Sequence, residues 1–238
     1  MEKEDEAPEA YSPKAIANKY NINLHELEEE QEKLGETAAL EDAIDFELAD
    51  RIAGCDVVFI DNKIIAAIVI LDKNMQIIEQ QYTIKKTQFP YIPGFRAYRE
   101  LPAIMECYNK LQEPFDVIFF DGHGIAHPRK CGIATHFGVV TQKPSIGVAQ
   151  QLLAGEVNQG KIFMDGKIVG VELQTKEGSK PVYISPGNMI SLKTTEELAK
   201  RLIIKPHKLP EPIVIARRYT NKIREEFAME QRRVVDNN

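Results

Sequence analysis

The sequence has little cysteine and no long apolar run, and each shortage removes a class of protein. Its three cysteines, Cys55, Cys107 and Cys131, form no CxxC pair and lie in apolar or helical stretches. A disulfide framework or a zinc site therefore has little support, and a reducing, cytoplasmic setting is expected. No stretch approaches the ~18 consecutive apolar residues of a membrane span. Met1 is followed by Glu2, Lys3, Glu4, Asp5 and Glu6, where a secretory leader would carry an apolar core. A Walker phosphate loop, a dinucleotide glycine fingerprint and a Gly-x-Ser-x-Gly elbow are all absent, so nucleotide-driven, hydride-transfer and serine-hydrolase chemistry have no motif to rest on.

What remains is an ordinary soluble composition with an uneven charge. The 238 residues are 43% hydrophobic and 28% charged, enough for one large domain with a sizeable core. The net charge of −6 hides a division: residues 1–50 carry 16 Asp/Glu against 4 Lys/Arg, whereas residues 51–238 carry 20 against 26. We read 1–50 as an acidic helical extension, solvated and peripheral, and 51–238 as the main folded domain. A basic body is compatible with phosphate-backbone binding, because Lys and Arg displace counterions from nucleic acid. The acidic segment is then a polyanion mimic that competes for the same basic face.

Local patterns give the order of elements. Asn23 and Glu26 suit a capping box at the start of a helix ending near Gly35, and a second helix is expected over 37–51. Asp56 is placed at the opening of a first strand, 56–60, followed by strands at 64–71 and 75–83 with tight turns between them, an antiparallel meander. Continuous apolar runs in the first two strands imply burial on both faces. An apolar set at Leu101, Ile104, Met105, Tyr108 and Leu111 predicts a helix, with Pro102 in its first turn. A strand at 115–120, a helix at 132–140 and a strand at 145–149 add parallel strands beside the meander. A hairpin around Asp165 and Gly166, a strand at 181–185 and helices at 194–204 and 211–229 complete an α/β mixed sheet flanked by helices.

Three carboxylates stand out by position. Asp56 lies beside Gly54, Glu100 at the start of the intervening helix, and Asp121 at the end of a buried apolar strand. Spacing alone also suits three unrelated surface or capping acids. A carboxylate inside an apolar strand, however, must be paired or hold a cation. Magnesium, with its preference for oxygen ligands, fits such a set and can support in-line displacement at phosphorus. Carboxylates on strand one, the first helix and strand four are similar to the ribonuclease H-like nuclease arrangement.

Pro90, Tyr91, Ile92, Pro93 and Gly94 make a stiff apolar segment with a sharp turn. It reads either as a wedge that fills the gap left by a flipped nucleotide or as a rigid turn with Tyr91 packed inward. The stretch from Asp121 to Arg129 places His123 and His127 four apart, but Gly124 and Pro128 break the helix a zinc pair needs. Its backbone amides are expected to approach a base or phosphate, with Arg129 available for phosphate or for structural pairing. His25 and His136 read as ordinary polar or core histidines, and His207 as a loop residue.

Gly54-x-Asp56, the Pro90 to Gly94 segment followed by Ala97, Tyr98, Arg99 and Glu100, the Asp121 to Arg129 stretch, Ile146 to Ala149, Ser185 to Gly187 and Leu209 to Pro212 together resemble the endonuclease V family over roughly 51–225. The resemblance implies a ribonuclease H-like fold, Mg2+ or Mn2+ dependence, and hydrolysis of the second phosphodiester bond 3′ to deoxyinosine, leaving 3′-hydroxyl and 5′-phosphate. It implies that Asp56, Glu100 and Asp121 are catalytic metal ligands and that Pro90, Tyr91, Ile92 and Pro93 form the wedge. Gly94, Gly122, His127 and Leu153 would line a pocket for the flipped hypoxanthine, its edge read by backbone amides. The expected partner is inosine-containing DNA, with inosine in single-stranded RNA as a second substrate, for a monomer acting in DNA repair. The chain departs from the family pattern at Gln150, where Lys is common, at Asn188, where His is common, and at Arg217, where His or Asp is common. These departures keep open a catalytically weakened inosine- or junction-binding protein, and a ribonuclease H-like nuclease of other specificity is a third reading.

Overall fold

The computed structural model describes residues 12–236, so residues 1–11 of the acidic extension lie outside the described residues. Two helices, α1 (Pro13–Lys19) and α2 (Leu24–Thr37), precede the meander β1 (Arg51–Ile60), β2 (Lys63–Asp72) and β3 (Ile77–Lys86). Then come α3 (Arg96–Tyr108), β4 (Val117–Asp121), α4 (Ile133–Thr141) and β5 (Ser145–Ala149). The chain closes through β6 (Glu156–Asn158), β7 (Lys161–Met164), β8 (Lys167–Leu173), β9 (Val182–Asn188), α5 (Leu192–Leu202) and α6 (Glu211–Asp236).

Among the described residues the strands form one sheet in the order β3-β2-β1-β4-β5-β9-β8-β7-β6. The meander is antiparallel, β4 runs parallel to β1, and β5 runs parallel to β4. This is the mixed, ribonuclease H-like sheet that the sequence predicted. Helices cover both faces. Ile64, Ala66, Ile68 and Ile70 of β2 pack under α3 and α4, while Val69 and Leu71 pack under α6. Period-2 alternation between two buried faces therefore explains the unbroken apolar run in β2, each Ile or Leu contributing about 1.5–3 kcal/mol by burial.

Three expectations need correction. First, residues 38–50 are turns and bends rather than a helix. Leu40, Ile44 and Leu48, the helically spaced apolars, are exposed, while Phe46 and Ala49 are in the core. The backbone here is held by distant groups: Ala39 N–H donates to Asn188 Oδ1, Met189 N–H donates to Ala39 O, and Asp42 accepts from the Ser191 and Thr194 hydroxyls at the start of α5. Second, β1 opens at Arg51, so Asp56 sits in mid-strand. Third, α3 opens at Arg96, which puts Pro102 inside the helix, on its exposed face.

The extension is also not a detached appendage. Gln31 of α2 is only 1% exposed, and its side chain contacts backbone on both sides of the cleft described below. The three cysteines are free and buried, and among the described residues no helix is long and apolar enough to cross a membrane.

Candidate active site

Strand register brings the first two acids together. Cys55 is paired with Phe120 across the parallel β1–β4 ladder, so Asp56 and Asp121 follow side by side. Alternation turns Cys55 and Phe120 toward α3 and α4, and therefore turns Asp56 and Asp121 toward α6. Gly54 sets how closely α6 approaches. A Cβ at that position would lie 2.0 Å from Pro212 O, so only glycine lets the helix start against the strand. One and two turns further along α6, Arg217 and Thr220 then meet Asp56.

Those contacts are specific. Thr220 Oγ1 donates to Asp56 Oδ2 at 2.6 Å, Arg217 Nε donates to Asp56 Oδ1 at 3.3 Å, and Arg217 Nη2 donates to Asp121 Oδ2. Glu100 projects from α3, where Arg96 Nε, one turn earlier, donates to its Oε1 at 2.6 Å. Asp56 and Glu100 are 6% and 4% exposed, which rules out the surface-acid reading for both. Burial above all raises the Asp56 carboxyl against Thr220 and Arg217, and the Asp121 charge raises it further. Burial likewise raises Glu100 against the Arg96 guanidinium, again with Asp121 adding to the rise. The Asp121 charge thus bears on both buried acids.

The donor set suits a hard divalent cation in its chemistry: three carboxylates, with Glu100 Oε2 buried and lacking a hydrogen-bond partner. As the side chains stand, the Arg217 guanidinium bridges Asp56 and Asp121. Among the described residues, no group of three His, Cys, Asp or Glu side chains is set to hold a metal ion.

Beside the acids opens a cleft of about 460 Å³. Tyr91, Pro93, Gly94, Asp121, Gly122, His127 and Leu153 line it, along with Gln31, Arg96 and Gln150. Tyr91 is 61% exposed and does not pack inward. Ile92 is 1% exposed, buried with Ala17 and Phe95, so the predicted apolar pair divides into an exposed tip and an internal anchor. Pro90 does not line the cleft.

Gly94 is the hinge of this loop, with a positive φ of 79°. Its carbonyl oxygen accepts from Gln31 Nε2, His127 Nε2 and Arg129 Nη2, each at 3.1 Å. Donation through Nε2 leaves His127 Nδ1 as an acceptor, and Arg129 N–H meets it at 3.3 Å. The ring is therefore held neutral, and burial, with Arg129 beside it, pushes its pKa down to about 3. Arg129 is committed to structure: its Nε donates to Gln31 Oε1 at 2.6 Å and its guanidinium stacks on Phe95.

The glycine-rich turn behaves differently from the sequence expectation. Gly122 N–H donates to Val148 O and Gly124 N–H to Ser185 Oγ, so neither amide is open to a base. The free amides lie across the cleft, where the N–H groups of Gln151, Leu152 and Leu153 donate to no other described residue. His123 Nε2 pairs with Gln151 O at 2.9 Å rather than with a metal. His136 is buried edge-on to Tyr98, as a core histidine. His207 pairs with Glu211. Asn188, one of the three departures, is also structural: its Oδ1 accepts from Ala39 N–H and its Nδ2 donates to Gly138 O.

Sequence reading missed Gln31, Arg96 and Thr220. Arg96 was findable, because a cation four residues before Glu100 on a helix is a pairing signal. Gln31 and Thr220 carry no local signature.

Comparison with known proteins places these features in context. A model of the endonuclease V family matches residues 32–218. Endonuclease V of Thermosipho melanesiensis is 41% identical over 184 residues, covering 74% of this chain and 81% of its own. The solved endonuclease V of Bacillus subtilis superposes with a TM-score of 0.80 at 28% identity, over 89% of this chain and 96% of that one. A Ciona intestinalis endonuclease V in complex with a 24mer DNA, containing an inosine followed by a ribo-adenosine, shares the fold with a TM-score of 0.76 at 21% identity, over 86% and 98% of the two chains.

Proposed function

The chain belongs to the endonuclease V family, and from that premise we propose that it is a metal-dependent endonuclease of DNA repair, active in a reducing, cytoplasmic setting on inosine-containing DNA. Its reaction is hydrolysis of the second phosphodiester bond 3′ to deoxyinosine, leaving 3′-hydroxyl and 5′-phosphate, with inosine in single-stranded RNA as a second substrate. The observation behind the proposal is that one cleft of about 460 Å³ joins the exposed Tyr91 tip, the walls at Gly122 and Leu153 and the Asp121 carboxylate. A fold relative crystallised with inosine-containing DNA supports the same substrate class.

Each residue has a task in this scheme. Tyr91, held up by the buried Ile92 and the Gly94 carbonyl network, fills the gap left when the damaged nucleotide leaves the stack. The hypoxanthine enters beside Gly122 and Leu153, where the open amides of residues 151–153 can donate to its keto oxygen. Asp56, Glu100 and Asp121 would hold the divalent ion, Mg2+ with Mn2+ as substitute. When bound, that ion supplies positive charge at the scissile phosphate and makes water a better nucleophile. Thr220 keeps Asp56 oriented, and Arg96 does the same for Glu100.

A nicking assay decides the matter. Protein and Mg2+ are incubated with an inosine oligonucleotide, an undamaged flap and an Asp121→Ala control, and the ends are mapped. Cleavage one nucleotide beyond inosine is expected. No nicking above the control removes the activity, and equal cutting of the flap removes the inosine specificity. Arg217 on the acid pair and the exposed Gln150 specifically favour one second reading, an inosine-binding protein with little turnover. Tight inosine binding with no cleavage in either Mg2+ or Mn2+ selects it.

A further inference from the structure

Arg217 stands between two kinds of anion. On its inner side its guanidinium bridges Asp56 and Asp121, while Thr220 and Arg96 each hold one further carboxylate oxygen of the trio. The buried Asp56 beside the partly buried Asp121 is costly without a cation, so a free protein needs some positive group there. On its outer side lies a shallow groove of about 300 Å³, lined by Gln150, His207, Lys208 and Arg218 among others, with no carboxylate on its walls. This groove meets the base cleft at Gln150, which lines both. A strand with its base in the cleft would run its phosphates along this cationic groove.

The Arg217 side chain is free enough to change partners. It is 35% exposed, against 6% for the Asp56 side chain it holds. Its planar fork suits phosphate as well as carboxylate. A metal ion and the guanidinium would also compete for the same oxygens, Asp56 Oδ1 and Asp121 Oδ2. When the guanidinium leaves, the Thr220 hydroxyl still fixes Asp56.

We propose that Arg217 is a tethered cation which closes the acid pair in the free protein and moves onto the phosphate backbone of bound nucleic acid, opening the pair to the divalent ion. Metal and nucleic acid are then coupled ligands, each raising the affinity for the other by the same factor. This rests on the metal-dependent nuclease reading above. It adds that Arg217 is a positioning residue, whose removal tightens metal binding to the free protein.

The test is Mn2+ binding, by calorimetry and by the loss of the free-ion electron paramagnetic resonance signal. It uses the full chain, with and without a single-stranded inosine oligonucleotide protected by phosphorothioate linkages. In the wild type the oligonucleotide should tighten Mn2+ binding at least about tenfold, as a coupling of this type typically does. Arg217→Met should show the tight affinity without the oligonucleotide and gain less than about threefold from it, because the competing charge is gone. Arg217→Lys serves if the methionine variant fails to fold. One ammonium cannot span both acids as the fork does, so this variant too should bind Mn2+ more tightly than wild type when free. Equal or weaker Mn2+ binding by the variants, with wild-type nicking intact, overturns the tethered cation alone. Absence of Mn2+ binding in every protein, oligonucleotide present, overturns the metal reading and the tethered cation with it.

Discussion

Replacing Gln31 with leucine asks whether an N-terminal helix is a working part of the cleft. The substitution keeps the buried bulk and deletes three hydrogen bonds: the 2.6 Å bond from Arg129 Nε, the 3.1 Å bond to Gly94 O and the 3.4 Å bond to Cys131 O. A bond to a charged group is worth about 1.5–3 kcal/mol and a neutral one about 0.5–1.5. The longest of the three is weak by its geometry. Gly94 O keeps His127 and Arg129 as donors, so little is lost there beyond the bond itself. The deleted bonds, offset in part by the extra apolar surface of leucine, leave a net destabilisation of about 2–4 kcal/mol. For a chain of this size that lowers Tm by about 5–15 °C. Calorimetry measures it directly. In parallel, affinity for an inosine oligonucleotide should fall more than the single-turnover cleavage rate, because the loss loosens the Tyr91 loop and leaves the acids untouched. A Tm within about 1 °C of wild type, with unchanged affinity, would refute the claim that α2 braces this loop.

Two further outcomes follow from the site. Tyr91→Ala should leave Tm nearly unchanged, since the ring is exposed, yet weaken inosine-oligonucleotide binding by about 5- to 150-fold, the loss of about 1–3 kcal/mol of base stacking; fluorescence anisotropy reads it, and unchanged affinity would exclude the wedge. His127 carries a pH signature. Its folded pKa of about 3 lies below the unfolded value, near 6.5, so the unfolded chain takes up the proton first and stability falls as pH drops below about 6.5. Between pH 7 and 5 this contributes a loss of about 2 kcal/mol. In His127→Gln the amide can still donate to Gly94 O but does not titrate, so denaturant melts at the two pH values should lack that portion of the fall. Parallel pH curves for the two proteins would contradict the neutral, Nε2-protonated ring.

Local pattern by itself determined a good deal of this protein. Alternating and continuous apolar runs located the meander, β4 and β5, because strand burial repeats every two residues and needs no knowledge of what lies opposite. The turn at Asp165 and Gly166 was legible from residue type, and both residues have positive φ. Asp56, Glu100 and Asp121 were readable as candidates because an acid in or beside an apolar run is costly without a reason. What only the tertiary structure decided is how those acids are paired. The Arg217 contact with Asp56 joins residues 161 apart, and the Gln31 contact with Cys131 joins residues 100 apart, distances at which no periodicity carries information. For the same reason residues 38–50 were misread. Their helical spacing was real, but the bond that Ala39 N–H donates to Asn188 and those that the Asp42 side chain accepts from Ser191 and Thr194, more than a hundred residues away, set the segment's course. Sequence fixes which groups need a partner, and folding alone chooses which partner arrives.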